Sequence, residues 1–174
     1  PDDTADDSLL SVDGICAKIN GLARRRVPLK CDRLTMFVDV QKALLFYVVI
    51  AWAEDFTGAV IDYGSWPDQH RHEYSLADAN PSIQTFFPKA GFEGALYAAL
   101  SALTDECLGR EWEREDGAVL KIERALVDAN WGQSTDVVYQ FCRQSSHAGV
   151  ILPSHGRYVG VGTLTAELID DIVR

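Results

Sequence analysis

No apolar run in this 174-residue chain approaches the roughly 20 residues that a membrane-spanning helix requires; the longest, residues 43–53, stops well short. Paired cysteines are absent too. Cys16, Cys31, Cys107 and Cys142 stand singly and far apart, without the CxxC or Cys/His spacing that a zinc site favours, and they read as reduced thiols of a cytoplasmic protein. Basic charge is in deficit: 16 Lys and Arg against 26 Asp and Glu leave a net charge of −10, which argues against an extended basic face for nucleic acid. No GxxxxGK[ST] loop offers a cradle for nucleotide phosphates. Internal repeats and low-complexity tracts are missing. So are an initiator Met and the layout of a signal peptide, and the chain reads as a piece excised from a longer protein.

What is present is the composition of a globular protein, 47% hydrophobic and 24% charged, in a length that suits one α/β domain with decorations. Residues 8–24, "SLLSVDGICAKINGLAR", carry apolar side chains at helical spacing and end at a basic triplet, Arg24, Arg25 and Arg26. Strand-like runs follow at 34–41, 43–53 and 57–63. The breaks between them are short, which predicts antiparallel hairpins. Residues 64–91 form a long, polar, proline-bearing stretch of the kind that is often functional. A helix is expected over 92–108, with Phe92, Leu96, Leu100, Leu103 and Cys107 on one face. "IERALVDAN" then reads as an interior parallel strand, because its second half is almost wholly apolar. Ser134 and Thr135 are capping candidates for a helix over 131–145, "AGVILP" is a short strand, and "TLTAELIDDIVR" is a final helix.

Asp39 is the anomaly. It lies in "LTMFVDVQKALLFYVVIAW", and a carboxylate among such neighbours must be protonated, paired or holding a metal. Asp128 ends the apolar "ALVD" segment in the same way. Three antiparallel strands, a helix, a parallel strand, a helix and another strand is the order of the ribonuclease H-like fold, a mixed sheet flanked by helices. In that topology the first and fourth strands lie side by side and parallel, so Asp39 and Asp128, if at comparable heights, are expected to converge. Carboxylates held close together repel one another unless cations neutralise them, and Mg²⁺ or Mn²⁺ prefers oxygen ligands while leaving room for substrate phosphates. Paired ions of this kind promote phosphodiester hydrolysis.

The segment from "TMFVDVQ" to "IDYGSWPDQ", with the later "ALVDANWG" and "SHGRYVGVG", resembles the C-terminal nuclease domain of bacteriophage terminase large subunits. The resemblance covers residues 34–162, and residues 8–30 resemble the connector from the ATPase domain. It implies a helical connector over 1–33 and a nuclease domain over 34–174, truncated at its C-terminus. It also implies a metal-dependent endonuclease that cuts concatemeric double-stranded DNA in the host cytoplasm, with the portal and the small terminase subunit as partners and no membrane. Its first two acidic ligands map onto Asp39 and Asp128. A third normally comes from a C-terminal segment, where Asp170 or Asp171 stands in this chain, although the separation from the last strand is short. Glu93, in the first turn of the helix after the third strand, is a further ligand candidate, and equally an acid that suits the helix dipole. The competing function is a non-catalytic ribonuclease H-like module that docks onto a portal or another packaging subunit.

Other residues carry weaker signals. Asp62 in "VIDYG" reads as a turn residue that closes a strand. His70 and His72 have poor spacing for a metal pair and fit a solvated loop. His155 and Arg157, after the last strand, suit either a turn or a DNA phosphate contact. The arginine triplet suits either a phosphate or the charged end of the connector helix, and the four tryptophans read as core or interface aromatics.

Overall fold

The computed structural model describes residues 13, 14, 17, 21–71 and 73–156. Three strands open the domain: β1 (Cys31–Val40), β2 (Leu45–Ala53) and β3 (Gly58–Trp66). Both pairings are antiparallel, through the short turns at 41–44 and 54–57. After a long loop come α1 (Ile83–Phe86), α2 (Gly91–Gly109), the two-residue strands β4 (Trp112–Glu113) and β5 (Val119–Leu120), β6 (Ile122–Asp128), α3 (Thr135–Gln144) and β7 (Ile151–Ser154). The main sheet has five strands in the order β3-β2-β1-β6-β7, with β6 parallel to both β1 and β7. This is the mixed α/β sheet of the ribonuclease H-like expectation.

Strand alternation divides the sheet into two faces. Leu34, Met36, Val38 and Val40 of β1, with Val49 of β2 and Ala125 and Val127 of β6, are buried in one cluster with Leu96, Ala99, Leu100 and Leu103 of α2 and Phe141 of α3. The other face carries Thr35, Phe37 and Asp39 of β1 and Leu126 of β6. Phe37 and Leu126 are 37% and 38% exposed, and with Trp52 and Leu152 they line an apolar groove on that face.

Local chemistry accounts for the helix ends. Ser82 and Thr85 form a reciprocal capping box at the start of α1. Asp136 in the first turn of α3 and Arg143 in its last turn match the helix dipole. Ser134 occupies the cap position of α3, but its hydroxyl donates to Trp131 O (2.9 Å) and that of Thr135 to Ala129 O (2.8 Å). The two hydroxyls therefore fasten the turn after β6 instead of capping the helix.

Several boundaries differ from the expected ones. β1 begins at Cys31, inside the segment assigned to the connector, and β3 runs on to Trp66. The charged stretch after α2 folds into the β4–β5 hairpin, whose turn is locked by an Arg114–Asp116 ion pair (2.8 Å) and by Gly117 at φ +86°. β6 is central in the sheet yet alternates in burial, because among the described residues only one of its faces is covered. Most of the helix expected over 8–24 lies outside the described residues, although Ala17 N–H donates to Asp13 O (2.9 Å) within it. The tail helix, Asp170, Asp171, His72, Arg157 and Cys16 also lie outside them.

Candidate functional site

The parallel register of β1 and β6 positions the two aspartates. The strands pair as Phe37 with Leu126 and Val38 with Val127, so the next residue on each, Asp39 and Asp128, stands at the same height on adjacent strands. Val38 and Val127 are fully buried on the helix side. Alternation sends Asp39 and Asp128 to the opposite face, where both are partly exposed. Neighbouring strands run about 4.8 Å apart, so the two aspartates stand side by side at the C-terminal ends of their strands.

Each carboxylate is held from its own strand end. Gln41 Nε2 donates to Asp39 Oδ2 (2.9 Å), the i,i+2 spacing placing both side chains on one face of the strand end. The backbone N–H of Asn130 donates to Asp128 Oδ1 (3.0 Å), an Asx turn that closes β6. These bonds occupy one oxygen of each carboxylate. A hard divalent cation matches the donor set that remains, since it takes carboxylate oxygens and completes its shell with water or phosphate oxygen.

Aromatic contacts fix the neighbouring loops. Phe46 is the cross-strand partner of Asp39 and stacks on Tyr74 (centroids 6.3 Å apart, 12° between planes), so the loop between β3 and α1 folds over this end of the sheet. Within that loop the buried Gln69 amide donates to Pro67 O (3.1 Å) and Pro81 O (2.7 Å), while its oxygen accepts from Asn80 N (2.8 Å). Trp131, in the turn after β6, packs edge-on against Phe92 at the start of α2 (5.5 Å), and both rings lie against the core on the helix side. Glu93 follows Phe92 on the exposed surface of the first turn. Among the described residues no three His, Cys, Asp or Glu side chains gather in metal-binding geometry, so Glu93 is not joined to the aspartate pair.

The remaining sequence candidates separate clearly. Asp62 is no turn residue: it lies inside β3, is 1% exposed, and accepts from Arg24 Nε (2.6 Å), Arg25 Nε (2.9 Å) and Tyr63 N (3.0 Å), with Arg110 Nη1 at 3.7 Å. Its register partner is the buried Val49, which puts it on the helix face, away from Asp39. Hydrogen bonding to Asp62 raises the Arg24 guanidinium above its ordinary value, and that bond and the Asp62 charge do the same for Arg25 against the opposing effect of burial. Arg26 pairs with Glu113 (2.9 Å), so all three arginines of the triplet have acidic partners. His70 is solvent-exposed, with Asp68 3.6 Å away. Cys31, Cys107 and Cys142 are free and buried, and burial pushes the Cys107 thiol up to about 12 and that of Cys142 up to about 11. No nucleophile is found there.

Sequence reasoning missed Gln41, Asn130 and Tyr139. The first two were findable, since each lies two residues after a candidate aspartate, but Tyr139 reaches the site only through His155, 16 residues away.

Residues 4–167 match the family model described as the terminase large subunit gpA endonuclease domain. No curated protein matches the chain. Among solved structures, the Aquifex aeolicus member of the Ppx/GppA protein family aligns with 9% identity and a TM-score of 0.31. That alignment covers 70% of this chain and 35% of the other, so the chain spans about a third of that protein's length.

Proposed function

The chain belongs to the terminase large subunit gpA endonuclease-domain family, and from that premise we propose that it cuts concatemeric viral DNA during packaging, with Asp39 and Asp128 as the ligands of its catalytic Mg²⁺ or Mn²⁺. The observation that carries this reading is the placement of both aspartates at one height on adjacent parallel strands, on the face that the described helices leave open. Burial alone does not call for two acids there, and no Lys or Arg pairs with either among the described residues. A bound divalent cation would supply the Lewis acidity that stabilises charge on the phosphoryl oxygens during hydrolysis.

The chain's own side chains do the positioning. Gln41 and the Asn130 N–H each hold one carboxylate oxygen, and the remaining oxygens would face a cation pocket between the two strand ends. The Phe46–Tyr74 stack would flank that pocket beside Asp39. Asp171, in the C-terminal segment, is the proposed third ligand, and Glu93, not joined to the aspartate pair, is left out of the set.

Double-stranded DNA is the proposed substrate, held by contacts to its backbone. The net charge of −10 makes that hold weak for the isolated chain, and the portal and small terminase subunit would raise the local DNA concentration in the host cytoplasm. No helix among the described residues is long and apolar enough to cross a membrane.

Plasmid nicking tests the proposal. The wild-type chain should nick circular DNA with Mn²⁺ or Mg²⁺ and stop on addition of EDTA, and Asp39→Asn and Asp128→Asn should fold yet lose activity. Metal-dependent nicking that survives in both folded variants would sink the assignment. A folded wild-type chain that neither nicks DNA nor takes up Mn²⁺ would favour the docking-module function instead.

A further inference from the structure

His155 sits just beyond β7, and both of its ring nitrogens are engaged. Nδ1 lies 2.9 Å from Asn130 Oδ1, and Nε2 lies 2.9 Å from the Tyr139 hydroxyl on α3. The Asn130 amide also donates through Nδ2 to Gly156 O (3.4 Å). In this arrangement Asn130 Oδ1 faces the ring and can only accept, so His155 Nδ1 carries a proton, and in the neutral ring Nε2 accepts from Tyr139. The Tyr139 and His155 rings also pack together at 5.7 Å. At Gly156 a Cβ would come within 3.1 Å of Asn130 Nδ2, so the backbone after β7 is drawn closely onto this amide.

Asn130 links this network to the pocket, because its backbone N–H is the donor that holds Asp128 Oδ1. Ala129 N–H donates to Ser154 O (2.9 Å), which ties the same turn to the end of β7. Three elements, β6, β7 and α3, therefore converge on one two-residue turn whose first partner is the Asp128 carboxylate.

We infer that Asn130, His155 and Tyr139 form a clamp that sets the orientation of the Asp128 carboxylate, with His155 as a positioning residue for the cation pocket. Both nitrogens are committed to this network, so His155 acts through Asn130 and leaves contact with the substrate to other groups. The inference rests on the nuclease reading for its functional consequence, but the clamp is a statement about hydrogen bonds and can be tested separately. Partners that orient a metal ligand typically change affinity or activity 10–100-fold when lost, and that range sets the expected effect.

The test combines two measurements on the full 174-residue chain. Nitrogen NMR of the His155 ring should show the proton fixed on Nδ1, and in His155→Ala the Asn130 amide resonance should move. Calorimetric Mn²⁺ titration should show affinity about 10–100-fold weaker in His155→Ala at an unchanged thermal midpoint, with excess Mn²⁺ restoring nicking. His155→Asn keeps a donor near the Nδ1 position and should recover most of the affinity. A proton on Nε2, or an Asn130 amide indifferent to the Ala variant, overturns the clamp whatever the metal does. Mn²⁺ affinity unchanged in His155→Ala overturns the positioning role. If the wild type takes up no Mn²⁺, the nuclease reading and the positioning role fail together, and the NMR result alone decides whether the clamp exists.

Discussion

Replacing Asp62 by Asn removes a buried negative charge from a cluster of three arginines while keeping the shape of the side chain. The carboxylate is 1% exposed and accepts from Arg24 Nε at 2.6 Å, Arg25 Nε at 2.9 Å and Tyr63 N at 3.0 Å. Loss of one partner of a buried ion pair costs about 3–5 kcal/mol when the other charge stays buried. Here Arg24 and Arg25 are 56% and 46% exposed and recover hydration, and the Asn oxygen still accepts one bond. A cost of about 2–3 kcal/mol follows, at or just below the lower bound of that range. At about 2–4 °C per kcal/mol for a chain of this size, the thermal midpoint should fall by about 4–12 °C. Differential scanning calorimetry of the variant measures it. Trypsin should also cut faster after Arg24 and Arg25, whose segment is tied to β3 by these pairs and by the Arg25 N–H to Ile61 O bond (2.7 Å). Nicking well below the midpoint should be unchanged, because Asp62 lies on the helix face of the sheet. An unaltered midpoint would refute the anchoring role, and lost nicking in a folded variant would refute the separation of Asp62 from the site.

Leu100→Ala, at a fully buried position where α2 meets the sheet, should cost about 2–5 kcal/mol by denaturant unfolding. Cys107 holds its proton more tightly folded than unfolded, its thiol pushed from 9.0 up to about 12 by burial. Its stabilising contribution is therefore complete below pH 9.0 and is lost as pH rises from there through about 12, and Cys107→Ala should flatten the stability profile across that window. Native Cys107 and Cys142 should resist a thiol reagent at mildly alkaline pH and react on unfolding, as mass spectrometry would show. Gln69→Ala removes the amide that bonds Pro67, Asn80 and Pro81, so protease cleavage between β3 and α1 should accelerate while the sheet retains its amide exchange protection.

The sheet was legible in the sequence because its signals are local. Period-two apolar positions in β1 and short breaks before β2 and β3 suffice to predict two hairpins, and the helical spacing of Leu96, Leu100 and Leu103 predicts the face of α2 that packs on them. The β4–β5 hairpin was missed although Asp116-Gly117 is a turn signal, because two-residue strands show no periodicity. Asp62 was misread because its partners lie 37 and 38 residues upstream, and no local pattern reports a pairing at that distance. The same limit hid the clamp on Asp128, whose members come from the ends of β6 and β7 and from α3. Asp39 and Asp128 could be chosen as candidates because an acid in an apolar strand is costly wherever the chain takes it. Their common height depended on the parallel register of β1 and β6, which the fold order implied and the structure shows.

The most direct test of the account is anomalous scattering from crystals of the chain soaked in Mn²⁺. A peak within coordination distance of both the Asp39 and Asp128 carboxylates, absent from Asp128→Asn crystals, is the predicted result. A map in which Mn²⁺ binds elsewhere, or touches neither aspartate, would contradict it.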